Sequence, residues 1–417
     1  MSQLGNTLEK LIAGQSPNRK EFAARPGEYG ILKTTAIDWG RYIPHQNQEI
    51  LDDFVPNKGH EVKDGDILIT KAGPVHRVGV VAYVDKTPPK MLVSGKMTLL
   101  RTDKSYDARF ISYALSTEFS QKPLKENTTG MASSQTNFTH ETLKEVPLFV
   151  PNQLPEQQKI ATILSSVDDV IENVQAQIDK LKDLKTGMMQ ELLTKGIGHT
   201  EFKDSPVGRI PVGWDSKLLD QVARRGSGHT PDKKKPEYWN DGVKWVSLTD
   251  SYRLDQLFIS DTDKKISDLG IDNSSAVLHP EGTVVMSRDA GIGKSAITTN
   301  EMAVSQHFMA WVCGDLLNNY FLYYLLQHWK PQFEAIAMGS TIKTIGLPYF
   351  KKLQIPVPPI EEQKHIANSI KSVDMKIFVL EGKSSKYRDA KKALMQDLLT
   401  GTVRVNVDNQ HKEEVVA

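Results

Sequence analysis

Cys313 is the only cysteine in 417 residues, which excludes a disulfide within the chain and suits a reducing compartment. Long apolar runs are missing too. None approaches the roughly 20 residues that span a bilayer, and Met1 to Gly14 has no apolar core of the kind a secretory signal needs. The expectation is a cytoplasmic protein with no membrane partner. Nor is there an excess of one charge: 52 Lys+Arg against 51 Asp+Glu leave a formal net charge of +1. A strongly basic total would argue for nucleic acid; a balanced one leaves only local basic faces to read. The composition is otherwise that of a globular chain, with 39% hydrophobic residues and length for two or three domains.

Catalytic signatures are equally scarce. Gly291-Ile-Gly-Lys-Ser295 has the end of a phosphate-binding loop. Wrapping backbone N–H groups around phosphate needs a glycine five residues before Gly293, and Arg288 stands there. Asp53 with Glu61-Val-Lys63 has a nuclease-like spacing of a kind that arises often by chance, and Asp64-Gly-Asp66 reads as a turn before a strand. No HExxH helix, CxxC pair, GxSxG elbow or Asn/Asp-Pro-Pro-Tyr/Phe tetrapeptide occurs. The 11 histidines are scattered, and a solitary one such as His307 reads as a core or surface residue. No catalytic residue and no metal ligand emerges.

What the chain does have is a repeat. Leu154 to Lys195 recurs without a gap 206 residues later, from Ile360 to Gly401. Gln157 falls on Gln363, Ser166-Val167-Asp168 on Ser372-Val373-Asp374, and Leu192-Leu193-Thr194 on Leu398-Leu399-Thr400. Each copy has an apolar seam at alternating spacings of 4 and 3. The first runs through Ile160, Leu164, Val167, Ile171, Val174, Ile178, Leu181, Met188 and Leu192. The second runs through Ile366, Ile370, Val373, Ile377, Leu380, Tyr387, Leu394 and Leu398, with Ser384 in between. This is the coiled-coil pattern, and each stretch, free of internal proline, predicts a helix of about 60 Å. Lys185 and Lys391 interrupt the seam at the same point; they read as lysines whose stems cover apolar surface while their heads reach water, with a register-setting polar pair as the alternative.

The natural partner for one helix is the other. Packed antiparallel, they would form a rod with one globular unit at each end. The expected divisions are residues 1–150, a helical spacer at 151–196, a linker at 197–213, a second unit at 214–357, a second spacer at 358–401 and a tail at 402–417. In the first unit Tyr29-Gly-Ile-Leu32, Asp66-Ile-Leu-Ile-Thr70 and Val78 to Val84 read as strands, Phe110 to Leu115 as the start of a helix. The second unit repeats the parts in order: Gly14 to Pro17 is echoed by Gly228 to Pro231, Gly65 to Lys71 by Gly282 to Arg288, Val93-Ser94 by Val304-Ser305, and Gly130 by Gly339. Glycines and prolines in the linker predict no regular element. Thr402 to Val407 alternates like a strand and is expected to return to the first unit as an edge.

Between the shared anchors the units differ, and they differ in basic loops. Arg19, Lys20, Lys33, Lys71 and Arg77 mark the first unit; Arg224, Arg225, Lys233, Lys234, Lys235, Arg288, Lys294 and Lys343 mark the second, with Tyr238 and Trp239 beside the lysine run. Such residues neutralise phosphates, and arginine also reads base edges. They are the candidate DNA-binding residues.

Two variable units alternating with two near-identical helices resemble the specificity (S) subunit of type I restriction–modification systems. The motifs that carry the resemblance are Pro155-Glu-Gln-Gln158 with Ile160-Ala161, Val357-Pro-Pro-Ile-Glu-Glu-Gln363 with Ile366-Ala367, Pro206-Val-Gly-Arg-Ile-Pro-Val-Gly-Trp214, and both Leu-Leu-Thr helix ends. The resemblance covers essentially the whole chain. It implies an α+β protein with two target recognition domains, a pseudo-two-fold internal repeat and an antiparallel coiled-coil spacer. It implies a non-catalytic subunit that reads a split sequence in double-stranded DNA, docks two modification (M) subunits and joins restriction (R) subunits in the full complex. No cofactor would be bound by this chain; S-adenosylmethionine, ATP and Mg would act through the partner subunits. The chain departs from the pattern in proline spacing before the second helix and in lacking a PVGW-like lead-in before its first unit. A coiled-coil scaffold that binds only proteins, and a self-contained DNA methyltransferase or nuclease, are the readings from other classes.

Overall fold

A computed structural model describes residues 1–51, 54–132, 135–239, 242–339 and 343–407. Asp53 of the nuclease-like spacing and the tail from residue 408 onward lie outside the described residues. The chain divides into two compact units, Met1–Asn173 with Ser384–Ala417, and Val174–Lys383. The two predicted helices are present, Leu154–Lys195 and Ile360–Leu399, and the division falls within each of them.

The first unit is built on a four-stranded antiparallel sheet in the order Leu8–Ala13, Met97–Thr102, Ile67–Thr70, Val81–Tyr83. Ile67, Leu68 and Ile69 are all fully buried, so this strand is covered on both faces, which is why it reads as an unbroken apolar run rather than an alternation. A second, three-stranded sheet joins Met91–Leu92, Gly30–Leu32 and Asn47–Glu49. The helix Ala108–Leu115 begins where Asp107 accepts the Phe110 N–H at 2.7 Å, an N-cap that satisfies one orphan donor. Its apolar face, Phe110, Ile111 and Leu115, meets Ile160, Ala161 and Leu164 of the first long helix and Leu398 and Leu399 of the second.

The second unit repeats this arrangement. Ala223–Ser227, Phe308–Cys313, Val284–Ser287 and Ser295–Thr298 take the same order, and Phe258–Ile259 adds a fifth strand parallel to the last. Asn318 caps the helix Asn319–His328 as Asp107 caps its counterpart. The glycines matched in sequence have matched jobs. A Cβ on Gly14 would lie 1.8 Å from the Ser94 carbonyl oxygen, and one on Gly228 would lie 1.6 Å from that of Val304. Only glycine permits that approach of one backbone to another.

Within each unit the long helices run antiparallel. In the second, Lys182 pairs with Glu381 at 2.8 Å and Lys185 with Asp374 at 2.6 Å, with Val174, Ile178, Val373, Ile377 and Leu380 buried between. In the first, Ile160 shares a core with Leu398 while Asp168 meets Lys391 at 2.6 Å. Each fully buried Leu or Ile here contributes about 1.5–3 kcal/mol. The seam is not uniform. Tyr387 is 38% exposed, and Met189 and Leu193 are more buried than Met188 and Leu192, because the helix end faces a globular core as well as its partner helix.

The two seam lysines do not reach for water. Lys185 pairs with Asp374, which also accepts the Tyr324 hydroxyl at 3.1 Å. Lys391 pairs with Asp168, which accepts the Tyr113 hydroxyl at 2.7 Å. Burial first, and the neighbouring carboxylate second, push both phenols well above their usual range, so each remains a donor. The expectation of a snorkelling lysine is corrected: each is a polar seam residue with a dedicated partner, the kind that specifies register.

Two further expectations change. The linker holds a hairpin, Phe202–Ser205 against Gly208–Pro211, turned at Gly208 with φ +100°. Both strands are edges, so Pro211 deprives no inner ladder of a donor. Thr402 to Val407 forms no strand; instead Arg404 makes two bonds to the carboxylate of Glu156, at 2.7 and 2.6 Å. Among the described residues no helix is long and apolar enough to cross a membrane.

Candidate nucleic-acid interface

The antiparallel order places the loops after Gly14 and Gly228 beside the segments that precede the second sheet strand and follow the third. In the first unit Arg19 and Lys33 line a depression of about 630 Å³ with Asn18, Gln48 and Lys96. Cations and amide side chains at one concavity suit phosphate contact and base-edge bonding alike. Lys71 is half-buried beside it, and its N–H donates to the Lys96 carbonyl at 2.8 Å.

Lys20 and Arg77 are used within the unit. Arg25 first and Lys20 second bind the buried Glu49 and hold its carboxyl down at about 2. The Arg77 guanidinium donates to the carbonyls of Thr34 and Ile37 and meets Asp38 at 3.3 Å, tying one loop to another.

In the second unit Lys233 lines a depression of about 580 Å³ with Trp239, Asp261, Asp263, Lys264 and Lys265. Trp239 is braced edge-on by Trp245, ring centres 5.0 Å apart. Lys234 and Lys235 are both exposed, and Lys235 donates to the Tyr238 hydroxyl at 3.0 Å. Arg224 is exposed on its strand; burial first and Arg224 second push the imidazole of His279 down to about 4, which keeps that ring neutral. Arg225 pairs with Asp220 at 3.1 Å. Arg288 lies 3.7 Å from Asp289, Lys294 donates to the Ser251 carbonyl at 3.2 Å, and Lys343 is exposed. The structure therefore brings Arg19 with Lys33, leaves Lys233, Lys234, Lys343 and Arg224 facing solvent, and commits Lys20, Arg77, Arg225, Lys235 and Lys294 to internal partners.

The motifs set aside in the sequence have structural uses. Gly291 to Lys294 turns between two sheet strands, with Gly293 N–H donating to Ser287 and Lys294 N–H to Gly291, so these amides already have acceptors. Glu61 accepts the Lys90 N–H at 2.6 Å and Asp66 binds Arg101 at 2.8 Å. No group of three or more His, Cys, Asp or Glu among the described residues could hold a metal ion.

Sequence reasoning passed over Lys96, Lys264, Lys265 and His307. His307 is not solitary: its Nδ1 lies 2.6 Å from Asp289. The signal available was position, since Lys96 and His307 each stand two residues after a matched serine, Ser94 and Ser305.

The family model described as "Type I restriction modification DNA specificity domain" matches residues 2–183 and 211–386. The putative type I restriction enzyme MjaX specificity subunit of Methanocaldococcus jannaschii is 30% identical over 351 residues, covering 82% of this chain and 79% of its own. The MjaVIII specificity subunit of the same organism is 28% identical over 413 residues, 95% of this chain and 91% of its own. Among solved structures, the type I restriction–modification S subunit from M. genitalium superposes with a TM-score of 0.62 at 15% identity, over 95% of each chain. A chain from a study of complex assembly and conformational transition of the type I R-M system gives 0.55 at 17% identity, over 96% of this chain and 97% of that one. At such identities these two likenesses speak for the fold alone.

Proposed function

We propose that this chain, which belongs to the type I restriction–modification DNA specificity family, is the non-catalytic subunit that selects the DNA sequence on which its partner subunits act. The observation that carries this reading is the contrast inside the repeat: the scaffold, its caps and its buried pairs recur, while the basic loops on that scaffold do not. One scaffold with two different surfaces suits a target made of two different half-sites. Residues 1–150 and 214–357 would each read one half, and the helical segments 151–196 and 358–401 would set the number of base pairs between them. The linker 197–213 and the tail 402–417 would close the second and first units respectively.

Arg19, Lys33, Lys71, Arg224, Lys233, Lys234, Arg288 and Lys343 are the proposed DNA contacts. Exposed cations neutralise phosphates and position the duplex; the residues lining the two depressions are placed to reach base edges. Lys20, Arg77, Arg225, Lys235 and Lys294 support the loops that carry them. The internal repeat gives one asymmetric chain two like surfaces, which suits the docking of two identical methyltransferase subunits. Those subunits would bring S-adenosylmethionine, and restriction subunits would bring ATP and Mg.

The test is an adenine-methylation map of host DNA with this gene present and deleted, beside its methyltransferase partner. Loss of one split, asymmetric motif on deletion is the expected result. A map that does not change, in cells whose methyltransferase is expressed, overturns the reading.

A further inference from the structure

Positions 96 and 307 are the same place in the scaffold of the two units. The Lys71 N–H donates to the Lys96 carbonyl at 2.8 Å, and the Arg288 N–H donates to that of His307 at 2.9 Å. The side chains are held differently. His307 Nδ1 lies 2.6 Å from one carboxylate oxygen of Asp289, and the other oxygen of that carboxylate accepts the Thr344 hydroxyl. Asp289 is only 8% exposed, while the imidazole is about a third exposed. No hydrogen-bond partner for Nε2 is found among the described residues. The ring is gripped on one edge and open on the other.

Three loops converge on it. The Thr230 hydroxyl donates to the side chain of Gln306, bringing the segment that leads to Lys233 and Lys234. The hairpin from Arg288 to Gly293 starts at Asp289's neighbour. Thr344 arrives paired with Asp289 and Met338, with the exposed Lys343 next to it. An ordered ring at the meeting point of the cation-bearing loops is where a duplex held by those cations would present its bases.

We infer that His307 is a specificity-determining residue of the second unit, reading one base through Nε2; this rests on the DNA-reading function proposed above. Asp289 is the positioning residue. A carboxylate accepts, so Nδ1 carries a proton, and in the neutral form of the ring, the one proposed to read the base, Nε2 is an acceptor. In the major groove an acceptor pairs with the exocyclic amino group of adenine or cytosine and finds no partner on guanine or thymine. Position 96 of the first unit carries an ammonium instead, a donor that seeks the acceptors of guanine, thymine or adenine N7 and finds none on cytosine.

The experiment is the adenine-methylation map repeated in cells carrying the wild-type chain, His307→Ala or Asp289→Asn with the methyltransferase partner. Both variants are expected to lower discrimination roughly fivefold or more at a single adenine or cytosine position of one half-site, the range one base contact supplies. The other half and the gap should not change. If the wild-type chain directs no motif, the function proposed above fails. If it does and His307→Ala directs the identical motif at the same occupancy, only this inference fails. Should His307→Ala abolish methylation altogether, His307→Gln, which retains a side-chain acceptor, decides: return of methylation supports the inference, and continued loss in a chain that still assembles overturns it.

Discussion

Asp168 and Asp374 do the same work in two units that share little surface. Each receives a lysine from the opposite long helix and a hydroxyl from a tyrosine of its own globular unit. His307 and Lys96, by contrast, occupy one scaffold position with unlike chemistry. The difference teaches where repetition is enforced. A charge that must find a partner 189 or more residues away along the chain is fixed by that partner; a side chain that faces solvent is free to diverge with whatever it touches.

The comparison breaks most visibly at the glycines. Gly228→Ala would drive a Cβ into the Val304 carbonyl and Gly14→Ala would drive one into that of Ser94, so both should destabilise by about 3 kcal/mol or more. Hydrogen exchange, read unit by unit, checks this: protection should fall only in the unit altered. A silent Gly14→Ala beside a damaging Gly228→Ala would show that the two approaches are not equivalent.

The acid pairs come next. Asp374 is 17% exposed at its side chain and Asp168 is 29% exposed, so its loss should be felt more. Asp374→Ala is expected to cost about 3 kcal/mol and Asp168→Ala about 2. Lys185→Met together with Asp374→Leu should recover most of the loss in urea unfolding, because both charges leave together. Failure to recover would mean the pair supplies more than its own neutralisation.

The basic loops give a smaller and more specific effect. Lys233→Glu with Lys234→Glu should weaken DNA binding by the assembled complex and reduce its salt slope by up to about two. Lys20→Glu should leave that slope unchanged and loosen the loop around Glu49, since its head is already bonded at 2.6 Å. A salt titration of DNA binding separates the two. The reverse outcome would exchange their roles.

How much of this was legible follows from what each feature depends on. The helices, their antiparallel pairing and the echo of Gly14 in Gly228 were readable because periodicity and exact repetition are local signals. The lysine–aspartate pairs were present in the repeat, since both residues recur at equal offsets, but pairing requires knowing which seam positions oppose each other. His307 was unreadable as a held residue because Asp289 reaches it only through the turn of a hairpin. The strand expected over Thr402 to Val407 failed because an alternation of six residues does not by itself supply a neighbouring edge; the one residue that matters there, Arg404, is identified by its charge and not by its period.

That arginine yields the smallest effect and the finest comparison. Glu156 and Glu362 are equivalent by the repeat, each in the first turn of a long helix. Glu362 is gripped by donors from residues 197–214 of its own unit, the indole of Trp214 at 3.0 Å, His199 at 2.8 Å and the Ile197 N–H at 3.1 Å. Glu156 is gripped by Arg404 from the tail, and that bond, first among its causes, holds its carboxyl below the usual range against the opposing effect of burial. A depressed carboxylate contributes stability that is fully present above its unfolded value and is lost as pH falls through the folded one. Arg404→Gln removes the largest lowering influence and leaves burial opposed only by the backbone bond from Val405. The first unit of the variant should therefore be less stable than the wild type at neutral pH and should lose less of its stability as pH falls, because the wild type forfeits the Glu156 contribution there and the variant no longer has it. His199→Gln, which acts on the other glutamate, should leave the pH dependence of the first unit where it was. Melting between pH 3 and about 6, followed by exchange in each unit, tests the pair. If Arg404→Gln moves neither unit, the tail is carried by contacts other than this ion pair, and the two glutamates are equivalent in position only.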